Sequence, residues 1–151
     1  MTDLETQKRL NRLNTEAIYL GRKYGVVNYD RTDGTWLHIA KFPLGPGWNK
    51  SFVELLLDVP HASPGYPQIA PTWFWTDRDL ATKDGRSIKH FFISGSSHAD
   101  NIHLDKGWGH YCVHVRYWHP SSGFAITQGD SFLTYVELIR VVLHDKRTFS
   151  A

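Results

Sequence analysis

The stretch Ser51 to Val59 alternates strictly enough to fix its own geometry, with Val53, Leu55, Leu57 and Val59 on one side and Glu54 and Asp58 on the other. A period of two is the mark of a strand buried on one face. The chain beyond this strand narrows the fold further. Pro60, Pro64, Pro67 and Pro71, with Gly65 among them, preclude regular structure, because each proline fixes φ and removes a ladder donor. These prolines could also form a polyproline ligand, but Tyr66 and Ile69 are interleaved with them, so packing is the better account. The connection leads into the aromatic run Thr72 to Thr76, a short strand in which Trp73 and Trp75 point opposite to Phe74.

Upstream, Val26 to Asp30 and Thr35 to Phe42 flank the turn signal Asp33-Gly34 and read as a hairpin. Gly45-Pro46-Gly47 breaks the chain before the next strand. Residues 3 to 24 read as an amphipathic helix with Leu10, Leu13, Ala17, Leu20 and Tyr24 on its buried stripe. Thr2 with Glu5 forms a capping box at its start, and Gly25 caps its end. Lys8, Arg9, Arg12 and Arg22 are expected to form a basic outer face. A last helix starts at Asp130 or Ser131, buries Phe132, Val136, Ile139 and Leu143, and is followed by Lys146 and Arg147. Between the fourth strand and this helix, residues 77 to 107 show little periodicity and read as a long surface loop, a length usually tied to function or mobility. The order is therefore a helix, a four-stranded antiparallel meander, a long irregular segment and a C-terminal helix, which defines the α+β class.

At 151 residues the chain is one domain's worth, so residues 1–151 are read as a single domain. The net charge of +2 and its scattered basic residues exclude the footprint of a dedicated nucleic-acid binder. One cysteine allows no internal disulfide, and the acidic start lacks the features of a signal peptide, so a reducing cytoplasm is expected. No apolar run approaches the roughly 18 residues of a membrane span. No cofactor motif is present.

The chemistry concentrates between Trp108 and Pro120, which hold the sole cysteine and three of the nine histidines. If residues 110 to 117 run extended, alternation places His110, Cys112 and His114 on one face. A thiol attacks as thiolate, and a cationic imidazole nearby lowers its pKa from the free value of about 8.5, so this pattern suits a covalent nucleophile. The plain alternative is a buried cysteine acting as a small hydrophobe. A zinc site is the other: His110, Cys112 and His114 could present three ligands, with His103 or Asp105 completing a tetrahedron. No second ligand pair has standard zinc spacing, so no metal is assigned.

The order of signals resembles the ubiquitin-conjugating (E2) fold. Tyr66-Pro67 and Pro71 precede the fourth strand, as in that family, and Cys112 lies a few residues ahead of Trp118-His119-Pro120. More closely, the chain is similar to the bacterial E2-family E proteins, which carry a segment of the form Trp-x-x-Trp-(Ser or Cys)-x-His before Trp-x-Pro. Trp108, Tyr111, Cys112, His114, Trp118 and Pro120 occupy those places. Leu37-His38-Ile39, Phe42-Pro43, Gly47-Trp48-Asn49 and Leu55-Leu56-Leu57 also resemble that family. This sequence departs from the pattern in having Tyr111 for the second aromatic and Val113 where arginine is expected. His98-Ala-Asp-Asn101 lacks the proline of the eukaryotic His-Pro-Asn motif, so no oxyanion residue is assigned.

The resemblance implies a UBC-like fold and an enzyme that takes a ubiquitin-like protein from an E1-like enzyme as a Cys112 thioester. The acyl group then passes to an amine of a target protein, with His114, and secondarily His110, as base or hydrogen-bonding stabiliser. It also implies an N-terminal helix that meets the E1-like enzyme. Some bacterial operons of this type serve defence against phage. A catalytically silent E2 variant would bind a ubiquitin-like partner without transferring it. Such variants lack the cysteine, which this chain keeps.

Overall fold

The computed structural model describes residues 3–77, 79–85, 91–92, 108–112, 115, 117–121 and 125–144, those at 91–92 and 108–112 through their strand pairing. Helix α1 spans Leu4–Tyr24, followed by strands β1 (Val27–Tyr29), β2 (Trp36–Pro43), β3 (Phe52–Asp58), β4 (Trp73–Asp77), β5 (Phe91–Phe92) and β6 (Trp108–Cys112), then helix α2 (Phe132–His144). This is the expected α+β order, with an N-terminal helix, a four-stranded antiparallel meander and a C-terminal helix, and it is consistent with a UBC-like architecture. The sheet goes further than the meander, in the order β1-β2-β3-β4-β6-β5. The segment read as irregular therefore contributes β5, and the cysteine-bearing stretch lies on a strand beside β4. Both pairings are antiparallel and join residues far apart in sequence, which local periodicity does not reveal.

Sheet alternation separates two apolar faces. Leu37, Ile39, Val53, Leu55, Leu57 and Phe74 face the helices and join Leu13 and Leu20 of α1 and Phe132, Val136, Ile139 and Leu143 of α2 in the main core. On the other face Leu56 and Trp75 form a small second cluster with Trp36 packed against it. The expected opposition of Trp75 to Phe74 is thus realised. Trp75 Nε1 donates to Asp58 Oδ2 at 3.0 Å, which satisfies its indole N–H beside the buried ring. Trp48 is buried and its indole N–H donates to the Leu143 carbonyl at 2.9 Å, supplying an acceptor of the last turn of α2 with a partner.

Two expectations for α1 are corrected. Its N-cap is Asp3, whose carboxylate accepts from the Thr6 amide at 2.8 Å; Thr2 lies outside the described residues. Arg9 and Arg12 are not on a basic outer face, because each is only 4% exposed. Positions 9, 13, 16 and 20 share one helical stripe, so the arginines border the buried face. Arg9 is drawn inward by the carbonyls of the hairpin turn, donating from Nε to Gly34 O at 3.1 Å and from Nη2 to Asp33 O at 2.6 Å. Lys8 and Arg22 remain exposed. The expected cap at Gly25 is present, with φ at 90° and its amide donating to Gly21 O. Lys146 and Arg147 lie outside the described residues. Among the described residues, no helix is long and apolar enough to cross a membrane.

The β1–β2 turn is organised by Asp30. Its Oδ1 accepts from the Thr32 and Asp33 amides, and its Oδ2 from the amide and hydroxyl of Thr35. Gly34 closes the turn with φ at 67°, a conformation that side chains disfavour. Burial alone would raise the Asp30 pKa, but the hydrogen bonds from Thr35, Asp33 and Thr32 outweigh it and hold the carboxyl below its ordinary value of 3.8. A depressed folded-state pKa contributes stability above the unfolded value that is lost as pH falls through the folded one. Asp30→Asn should therefore destabilise the fold by about 1–2 kcal/mol at neutral pH. It should also flatten the loss of stability on acidification below about pH 4, both read from urea unfolding midpoints.

Candidate functional site

The nucleophile candidate lies at the end of β6. His110 registers with Trp75 on β4 and with Phe92 on β5, so this position is flanked by strands on both sides. Cys112 registers with Trp73, the first residue of β4. Residues directly paired in an antiparallel ladder share a face. Positions 110 and 112 therefore fall on the rows of Trp75 and Trp73, and position 111 on the row of the core residue Phe74. The structure brings positions 110 and 112 together as alternate residues of one strand. His114 lies outside the described residues, as do Val113, His98 to Asn101, His103, Asp105 and the side chains of His110, Tyr111 and Cys112.

Farther along, residues 118–121 are held by a frame of hydrogen bonds and ring contacts. Trp118 packs its ring against Tyr66, with centroids 6.2 Å apart, and donates from Nε1 to the Pro67 carbonyl at 2.6 Å. The peptide bond between Tyr66 and Pro67 is cis. His119 donates its amide to Asp130 Oδ2 at 2.8 Å, and its carbonyl accepts from the Asp130 amide at 2.9 Å. The backbones approach closely at this point: a Cβ on Gly129 would collide with the Ser121 amide and the His119 carbonyl. Ser131 caps α2, its hydroxyl accepting from the Leu133 amide and its own amide donating to Thr134 Oγ1.

Beneath this frame is a buried polar knot that the sequence reading missed. Arg12 donates from Nε to Glu16 Oε2 at 2.7 Å, from Nη1 to Ser121 O at 2.8 Å and from Nη2 to Asp130 O at 3.2 Å. Glu16 is fully buried, and its Oε1 accepts from the Tyr66 hydroxyl at 2.6 Å and from the Phe132 amide at 2.7 Å. The Phe132 amide belongs to the first turn of α2 and has no partner within its own helix, so the carboxylate satisfies it at the positive end of the helix dipole. Burial pushes the Glu16 carboxyl up, opposed by its hydrogen bonds from Tyr66, Arg12 and Phe132. Burial, reinforced by the neighbouring carboxylate, raises the Tyr66 hydroxyl well above its ordinary range, so it stays protonated and donates. The available signal was the spacing of Arg12 and Glu16, an i,i+4 ion pair on the stripe of Leu13 and Leu20.

Among the described residues, two cavities lie elsewhere. A groove of about 490 Å³ on the sheet face away from the helices is lined by Asn28, Tyr29, Arg31, Trp36, His38 and Leu56. There His38 Nε2 lies 3.1 Å from Glu54 Oε1, and the Arg31 guanidinium stacks 4.7 Å from the Tyr29 ring centroid. A second cavity, of about 380 Å³, lies along Leu44 to Ser51 with Lys83. Among the described residues, no group of three or more His, Cys, Asp or Glu side chains could hold a metal ion. The chain matches no family model, no curated protein and no solved structure.

Trp118 is a support whose removal should be felt in stability. It is half-buried and its indole N–H reaches a loop carbonyl. Trp118→Ala is expected to cost about 2–3 kcal/mol, less than the roughly 3–5 kcal/mol of a fully buried tryptophan. Trp118→Phe, which keeps a ring and loses the hydrogen bond, should cost about 1 kcal/mol. Denaturant midpoints of the two variants check the order. A Trp118→Ala protein with an unchanged midpoint and no activity would point instead to a direct binding role.

Proposed function

We propose that this chain is an E2-like conjugating enzyme of a bacterial ubiquitin-like modification system, acting in the cytoplasm through a thioester on Cys112. The observation that carries the reading is the placement of the sole thiol. Cys112 ends β6 beside the first residue of β4, just ahead of a Trp118-His119-Pro120 segment anchored on the Tyr66-Pro67 loop. That order of parts matches what the sequence resemblance implies, and the α+β architecture is consistent with it. Support for a metal-dependent alternative is weaker, since it rests on the same three positions without a further ligand pair.

The reaction divides one difficult acyl transfer into two easier ones. The Cys112 thiolate attacks the carbonyl carbon of the thioester that joins the ubiquitin-like C-terminus to the E1-like enzyme. The tetrahedral intermediate collapses by expelling the E1-like thiolate, leaving the acyl group on Cys112. An amine of the target protein then attacks that carbonyl, the Cys112 thiolate leaves, and the proton lost from the nitrogen passes to a base. His114 is assigned as that base or as a hydrogen-bonding stabiliser, with His110 second, because imidazole exchanges protons near neutral pH. No cofactor takes part in the step on this chain.

Incubation with the cognate E1-like enzyme, its ubiquitin-like protein and ATP should yield a larger species on a non-reducing gel that thiol reagents dissolve. Cys112→Ala should abolish it. Cys112→Ser should replace it with a thiol-resistant oxyester, since alkoxide is a poorer leaving group than thiolate. An adduct that persists in Cys112→Ala would remove the assignment. A wild-type chain that binds the ubiquitin-like protein without any covalent species would make it a non-catalytic variant.

A further inference from the structure

We draw no further inference here: the strongest candidate, the groove of about 490 Å³ on the sheet face away from the helices, lined by Asn28, Tyr29, Arg31, Trp36, His38 and Leu56, is a sheet face on which nothing in the structure shows what binds.

Discussion

The carboxylate of Glu16 has no solvent exposure and stands where α1, the proline-rich connection and the start of α2 converge. Taking such a charge out of water costs several kcal/mol, which only a full set of donors offsets. Here the donors are the Arg12 guanidinium, the Tyr66 hydroxyl and the Phe132 amide. Each belongs to a different need. Arg12 requires an anion because it too is buried, Tyr66 requires an acceptor for a hydroxyl held inside the core, and the first turn of α2 requires an acceptor for an amide its own helix cannot serve. One carboxylate meets all of these, so the elements around it are fixed relative to one another. Removing the carboxylate would leave the buried Arg12 guanidinium without this counter-charge.

That arrangement explains why residues 118–121 are held by contacts with distant parts of the chain. Tyr66 touches Glu16 through its hydroxyl and packs its ring against both Phe132 and Trp118. Trp118 in turn holds the Pro67 carbonyl, and Arg12 holds Ser121 and Asp130. The cysteine strand is paired within the sheet with β4 and β5, and residues 118–121 farther along the chain are held by this frame. The α1 helix, far away in sequence, contributes to the frame directly.

Much of the fold was open to reading from residues alone, and the reason is local. Val53, Leu55 and Leu57 alternate because β3 has one face on the core, and Phe132, Val136, Ile139 and Leu143 recur because α2 does too. Asp33-Gly34 marks a turn whose glycine does adopt positive φ. What escaped the sequence was non-local. The acceptors of Arg12 lie 109 and 118 residues away, so its side chain looked like one of several solvated charges on a helix. Strands β5 and β6 extend the sheet by pairing across a long insertion, which no short-range pattern announces. At the site itself, the extended run expected over residues 110 to 117 is a strand only as far as Cys112, with positions 110 and 112 on it, while His114 lies outside the described residues.

The central claim is that Arg12, Glu16, Tyr66 and the start of α2 act as one unit, and a double-mutant cycle addresses it most directly. Glu16→Gln, Tyr66→Phe and the double variant would be compared by equilibrium unfolding. Residues in one buried network show coupling energies of about 0.5–3 kcal/mol, while independent sites add to within about 0.3–0.5 kcal/mol. The account predicts a coupling above about 1 kcal/mol between the carboxylate and the hydroxyl. Losses that simply add would mean that the knot is a set of separate contacts and not one unit.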